Sequence, residues 1–147
     1  MAQDESLLVA AFYRFAPLQN LPCLRAELQQ LGGDQGLLGT VLLAAEGVTG
    51  TVCGRAEAVI ALLDRLRSEA GFEALEEKRS WCDQPCFLRF KVRLKAEIVT
   101  MGCEGIDPGE QVGAYVPPEQ WNDLIADPTT LVIDTRNSYE VGVGSFA

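Results

Sequence analysis

The order of the periodic segments along this chain constrains its fold more than any other feature. Two segments have the leucine spacing of amphipathic helices, residues 20–31 and 55–71, and an apolar strand–turn–strand pattern over 37–54 separates them. An apolar segment at 7–16 predicts a strand before the first helix, and residues 72–81 are expected to form another strand after the second. The order is therefore β-α-β-β-α-β, which predicts an α+β, ferredoxin-like antiparallel sheet with both helices on one face.

Individual residues predict where the helices begin and end. Asn20 is expected to cap the first helix, with Pro22 in its first turn. Gly32 and Gly33 are expected to stop that helix, and Gly71 to end the second one. With both helices on one face, the other face of the sheet is left free to meet a partner.

A further segment, residues 89–102, predicts an extra strand with one basic and one apolar face. Cations occupy every second position at its start, with apolar residues between them, and successive side chains of a strand point to opposite faces. The cations are Arg89, Lys91, Arg93 and Lys95. Lys78 and Arg79 precede them in the chain, and we group all six as candidate nucleic-acid-binding residues.

The basic face has two interpretations. A half-buried strand usually has one solvated face, which would make the cations ordinary surface residues. However, the chain has 21 acidic residues and a net charge of -9, so solvation alone does not require four cations of one sign on one face. Like charges on a shared face repel unless an anion joins them, and RNA is the natural polyanion. The acidic net charge is the main argument against a dedicated nucleic-acid-binding protein.

Two further pairs of residues combine charge with a turn. Glu46 and Gly47 lie in the hairpin turn and form either an ordinary turn or a ligand-binding turn with open backbone N–H groups. Asp134 and Arg136 follow an apolar run, in a predicted buried strand at 131–137. They are either active-site groups at the end of that strand or an ion pair that fixes the loop. The residues alone leave both questions open.

The composition of the chain changes after residue 102. Residues 1–102 are predicted to form the ferredoxin-like domain, and residues 103–114, rich in Gly, Pro and acids, to form a linker. Residues 115–147 predict the start of a second, α/β domain, with a short helix at 121–127.

The polar residues exclude several kinds of site. The chain has no His, no Gly-rich phosphate loop and no dinucleotide-binding motif, and no cofactor is evident. Cys82 and Cys86 are either a redox pair or incidental thiols. No metal site is predicted, because no second Cys or His pair completes one. No secretion signal or membrane span is predicted, so we expect a soluble, cytoplasmic protein.

Three segments together resemble a known family. They are LLAAEGVTGT (42–51), FKVRLKAEIVTMG (90–102) and the stretch that begins GAYVPPEQWNDLIADPTTLVIDTRN (113–137). These segments resemble the N-terminal half of the bacterial rhodanese-domain tRNA uridine(34) hydroxylases. The run VIDTRN, followed by YEV, is shared with rhodanese domains in general.

That resemblance implies an enzyme that hydroxylates uridine 34 of tRNA to 5-hydroxyuridine, with molecular oxygen as co-substrate. The implied partner is tRNA, with no DNA and no membrane, and this chain would contribute tRNA binding. The family's catalytic cysteine would lie beyond Ala147, in the rhodanese domain that begins here; none of the five cysteines of this chain lies in a matching motif. The alternative is a non-catalytic RNA-binding module attached to a rhodanese-type sulfurtransferase.

Overall fold

The computed structural model describes residues 6–103, 105–106 and 112–145. The chain divides into two compact units, Met1–Gln111 and Val112–Ala147. Much of the predicted linker, residues 104 and 107–111, lies outside the described residues. None of the helices in the described part is long and apolar enough to cross a membrane.

Among its described residues, the first unit contains a five-stranded sheet and two helices. Its elements are β1 (Leu7–Phe15), α1 (Leu21–Asp34), β2 (Leu38–Ala44), β3 (Gly47–Gly54), α2 (Ala56–Arg67), β4 (Glu76–Cys82) and β5 (Phe90–Leu94). The strand order is β4-β1-β3-β2-β5. The first four strands are antiparallel to their neighbours, and β5 runs parallel to β2. The predicted ferredoxin-like fold with an extra strand is confirmed.

Alternation along the strands places one face of the sheet against the helices. On β1, for example, Leu8, Ala10 and Phe12 are buried, whereas Ala11 and Tyr13 are exposed. The helices supply the other half of the core through Leu24, Leu28, Val59, Leu62, Leu63 and Leu66. Each fully buried side chain of this size contributes roughly 1.5–3 kcal/mol, so this layer holds the first unit together. The opposite side of the sheet is called the open face below.

The ends of α1 differ from the prediction. The helix begins after Asn20, but this residue adopts a left-handed conformation (φ 51°) and its side chain caps nothing. Gly32 and Gly33 lie within the helix, which continues to Asp34. The left-handed residue after the helix is Gly36 (φ 66°). The N–H of Leu37 bonds back to the Gly32 carbonyl at 2.8 Å, which closes the helix in a Schellman motif.

The bounds of α2 and β4 are also shorter than predicted. The helix ends at Arg67 rather than Gly71, and the strand begins at Glu76 rather than Phe72. Phe72 and Leu75 are buried instead in the turns between the two elements. Their apolar side chains therefore serve the core without joining the sheet.

The second unit contains short helical elements only, among its described residues. These are a 3-10 turn (Pro118–Gln120), α3 (Trp121–Ala126) and α4 (Ser138–Val141). The predicted strand at 131–137 is wrong: no described strand pairs with this segment, and Leu131 and Ile133 are 82% and 75% exposed. A strand needs a hydrogen-bonding neighbour, and an apolar run alone does not provide one.

Candidate nucleic-acid interface

The extra strand has the two faces that its alternation predicts. In the parallel ladder, Lys91 lies beside Thr40 and Arg93 beside Leu42, on the open face. Val92 points the other way and is buried against the helices. The alternating charged and apolar residues of β5 therefore form one basic and one apolar surface.

The backbone pairing continues one residue beyond each end of β5. The N–H of Gly39 donates to the Arg89 carbonyl at 3.0 Å, and the N–H of Lys95 donates to the Leu43 carbonyl at 2.8 Å. Both flanking cations are thus held in register with the strand. All four cations lie along one edge of the open face.

Helix α1 covers the outer edge of β5. The N–H of Val92 donates to Oε1 of Gln29 at 2.9 Å, and Nε of Arg25 donates to the Val92 carbonyl at 3.2 Å. Phe90 packs on Gly32, where a Cβ atom would lie only 2.1 Å from the ring. An edge strand whose central N–H and C=O groups, those of Val92, are satisfied in this way is less available for pairing with another strand. The strand therefore presents its basic face rather than its backbone.

The four cations line an open groove of about 610 Å³. The other lining residues are Thr40, Leu42, Cys86, Phe87 and Leu88. This set, together with Arg89, Lys91, Arg93 and Lys95, is called the basic groove below. Leu88 is fully exposed at its side, and Phe87 is half-buried. The groove therefore combines positive charge with an apolar and aromatic wall.

The groove cations differ from the other arginines of the chain in having no acceptor. Within the described residues, none of the four forms a salt bridge or a side-chain hydrogen bond. Each of the seven other arginines has one: five pair with carboxylates (Arg55, Arg65, Arg67, Arg79 and Arg136), and Arg14 and Arg25 bond to backbone carbonyls. The positive charge of this groove is therefore not compensated by acceptors of the chain, although the chain is acidic and its other arginines all have one.

The pKa of Lys91 reflects this concentration of charge. Desolvation lowers the pKa of the Lys91 ammonium, and the positive charges of Arg89 and Arg93 lower it further. Both effects disfavour a cation at the centre of the groove. A bound anion would relieve the repulsion among the three.

Lys78 and Arg79 do not belong to the basic groove. They lie on β4, at the opposite edge of the sheet, about 19 Å away at four strand spacings. Lys78 lies beside Ala11 on the open face, whereas Arg79 lies beside Ala10 on the helix face and pairs with Glu77. The six candidate residues therefore do not form one surface, because β4 and β5 lie at opposite edges of the sheet and neighbours in a strand point to opposite faces.

The hairpin turn residues have structural partners. The carboxylate of Glu46 accepts the N–H of Ile98 at 2.6 Å and so fixes the segment that follows β5. Gly47 lies so close to β1 that a Cβ atom would be 2.2 Å from the Arg14 carbonyl oxygen. Both residues of the turn therefore have structural contacts.

Asp134 and Arg136 form an ion pair in the second unit. Nη2 of Arg136 donates to Oδ2 of Asp134 at 2.7 Å, and also to the Gly144 carbonyl at 3.0 Å. The hydrogen bonds from Arg136 hold the pKa of the Asp134 carboxyl below its usual value. The two residues therefore form a pair that fixes this loop, as one of the two interpretations expects.

Three cysteines lie together in the first unit, and sequence spacing had paired only two of them, Cys82 and Cys86. The Sγ atom of Cys82 is 3.4 Å from that of Cys86 and 3.8 Å from that of Cys53. The hydrogen bond with Cys86 and burial raise the pKa of the Cys82 thiol to about 12. We call these three residues the thiol cluster. Cys53 belongs to β3, so only the pairing of strands reveals the group.

The fold places the first unit among the ferredoxin-like α+β domains, with a basic groove at one edge of its open face. Residues 7–98 match the UPF0176 acylphosphatase like domain, and the chain belongs to that family. A solved acylphosphatase from Bacillus subtilis aligns over 59% of this chain and 98% of its own, at 15% identity and a TM-score of 0.46.

Curated relatives confirm the resemblance seen in the sequence. A protein named tRNA uridine(34) hydroxylase from Prochlorococcus marinus (strain MIT 9303) is 52% identical over 140 residues, which cover 94% of this chain and 45% of that protein. A protein of the same name from Teredinibacter turnerae is 52% identical over 139 residues, which cover 95% of this chain and 43% of that protein. The chain thus spans somewhat less than half the length of these relatives.

Proposed function

We propose that this chain is the tRNA-binding part of a cytoplasmic enzyme that converts uridine 34 of tRNA to 5-hydroxyuridine. The observation that carries the proposal is the basic groove: an acidic chain keeps four cations without acceptors side by side. The curated relatives, named tRNA uridine(34) hydroxylase, supply the substrate that such a groove would serve.

In this proposal the groove holds the RNA backbone. Side chains on one face of a strand repeat about every 6.6 Å, so successive cations can each reach a different phosphate. Phe87 and Leu88 offer an apolar wall on which an unpaired base can stack. Phosphate contacts position the RNA, and the choice of uridine 34 requires further contacts to the base.

The reaction itself replaces the C5–H bond of uridine by C5–OH. With molecular oxygen as co-substrate, one oxygen atom enters the base. The other leaves as water, with two electrons and two protons from a hydrogen-donor reductant. We assign the reacting centre to the part of the relatives that this chain does not cover. Binding and orienting the tRNA is the role of the residues described here.

The experiment uses this chain alone and a chimera in which it replaces the matching N-terminal part of the Prochlorococcus relative. Each is incubated in air with a reductant and tRNA unmodified at position 34, and 5-hydroxyuridine is measured by mass spectrometry. We expect the chain to bind tRNA without hydroxylating it, and the chimera to hydroxylate it.

The other outcomes each have a definite meaning. Product from the chain alone would place the reacting centre within it. A chimera that binds tRNA and transfers sulfur, but forms no 5-hydroxyuridine, would favour the alternative that this chain is the RNA-binding module of a sulfurtransferase. Failure of both proteins to bind tRNA would refute the proposed function.

A further inference from the structure

The thiol cluster is a second candidate site, separate in chemistry from the basic groove. The sulfur atoms of Cys53, Cys82 and Cys86 all lie within 4.8 Å of one another. We propose that they bind one thiophilic d10 metal ion, Zn²⁺ or Cu⁺, through three thiolates. This inference does not rest on the proposed tRNA activity.

The spacing of the sulfurs suits a metal ion. A Zn–S bond is about 2.3 Å long, so two thiolates of a tetrahedral site lie about 3.8 Å apart, and those of a trigonal site about 4.0 Å. The Cys82–Cys53 and Cys82–Cys86 separations are 3.8 and 3.4 Å. Small rotations of the side chains therefore suffice to seat the ion. A disulfide would instead require two sulfurs to close to about 2.05 Å and an oxidant to take up two electrons.

The donor set selects the kind of ion. Among the described residues, no carboxylate or imidazole belongs to this group, which consists of sulfur alone. Soft thiolates favour Zn²⁺ and Cu⁺ over Mg²⁺, Ca²⁺ or Mn²⁺, which prefer oxygen. Each ligand gives up its S–H proton on binding. Three thiolates leave the site with a charge of −1 around Zn²⁺ and −2 around Cu⁺.

The three ligands come from separate parts of the fold. Cys53 is on β3, Cys82 ends β4, and Cys86 lies in the segment 83–89 that connects β4 to β5. Because these two strands are at opposite edges, that segment must cross the width of the sheet, about 19 Å. A metal ion would tie the middle of this crossing segment to two strands.

The three ligands differ in burial, so that the site is anchored in the core and still open to solvent on one side. Cys53 is buried, Cys82 is half-buried, and Cys86 is exposed. An ion can therefore enter from the side of Cys86, where a fourth position is open to water or another small ligand. Cys86 also lines the basic groove, so a bound ion would fix the wall formed by Phe87 and Leu88.

The test is a metal titration of the reduced 147-residue chain without oxygen. Co²⁺ serves as the spectroscopic probe, and Zn²⁺ and Cu⁺ are then added in competition with chelators of known affinity. We expect one ion per chain and a thiolate-to-cobalt charge-transfer band that either competing ion abolishes. The tighter competitor identifies the preferred ion.

Two single substitutions and a matched double control assign the ligands. C82S and C86S should each weaken binding by at least about 100-fold, since loss of a ligand exceeds the 10–100-fold effect of an outer partner. C23S/C103S, which changes exposed cysteines outside the cluster, should bind like the parent. Parent-like affinity in C86S, or absence of the charge-transfer band in the parent, overturns the proposal.

Thermal unfolding gives an independent readout that does not depend on the cobalt spectrum. An ion that binds the folded state raises the midpoint in proportion to the logarithm of its concentration. Zn²⁺ or Cu⁺ should therefore raise the melting temperature of the parent and of C23S/C103S. Because Cys86 is exposed, metal-free C86S should melt like the parent, and the same ion concentration should raise its melting temperature less. Equal shifts in C86S and the parent would also overturn the proposal.

Discussion

Gly32 of α1 lies directly against the ring of Phe90 on β5: a Cβ atom at Gly32 would be 2.1 Å from Cε1 of that ring. Gly33, the next residue of the same helix, has no neighbour within 4 Å of a Cβ atom. The two glycines therefore differ in purpose, although they are adjacent and both helical. One permits the close approach of the helix to the extra strand, and the other does not.

This difference predicts opposite effects of the same substitution. Gly33→Ala should stabilise the chain by up to about 0.5–1 kcal/mol, because alanine restricts the unfolded state and favours the helix. Gly32→Ala forces Phe90 to move and should cost about 1–3 kcal/mol as overpacking. Urea unfolding of the two variants measures both changes. Equal stabilisation by both would show that β5 does not rest on α1 at this position.

Gln29 is expected to protect the backbone of β5. Its Oε1 atom accepts the N–H of Val92 at 2.9 Å. Gln29→Leu removes this acceptor and should cost about 0.5–1.5 kcal/mol. The Val92 amide should also exchange with solvent faster, as measured by NMR. Gln30→Leu is the matched control, since Gln30 is the next residue of the same helix and is exposed; similar exchange in both variants would contradict the role of Gln29.

The basic groove predicts a uniform, salt-dependent contribution to tRNA binding. Arg93→Ala with Lys95→Ala should weaken binding of all tRNAs alike, because contacts to phosphates carry no sequence information. The slope of log K against log salt should become shallower by about 0.7–0.9 for each phosphate that the double variant no longer neutralises. Fluorescence anisotropy over a range of salt concentrations measures both quantities.

A single substitution controls for the loss of charge alone. Arg55→Ala removes one cation at the start of α2, where Arg55 is exposed and pairs with Glu57. It should change tRNA affinity less than Arg93→Ala, which removes the same charge from the groove. If the two variants bind alike, or the double variant matches the parent at low salt, the basic face of β5 is only a solvated surface.

The ion pair between Asp134 and Arg136 should make a pH-dependent contribution to stability. The pKa of Asp134 is lowered mainly by its hydrogen bonds from Arg136. The pair therefore contributes fully above the unfolded pKa of an aspartate, about 3.9, and is lost as the pH falls through the lower folded value. In Arg136→Gln the NMR titration midpoint of Asp134 should rise towards the ordinary value. Glu119→Gln, a change elsewhere in the same unit, should leave that midpoint in place.

Local patterns in the sequence determined the elements of the first unit. The leucine spacings of α1 and α2, the hairpin of β2 and β3, and the alternation along β5 depend on neighbours a few residues apart. The side-chain period of a strand is two, so Lys91 and Arg93 had to share a face once β5 formed. The resemblance to the tRNA uridine(34) hydroxylases was likewise visible in short segments.

The tertiary structure decided what depends on the order of the strands. β4 and β5 lie at opposite edges, which separates Lys78 and Arg79 from the groove and carries Cys86 back to Cys53 and Cys82. Burial of Phe72 in a turn shortened β4, and the apolar run at 131–137 found no described strand to pair with. Periodicity fixes which way a side chain points from its own element. Its contacts with distant side chains depend on the pairing of segments far apart in the chain. Spacing along the sequence does not directly encode this pairing.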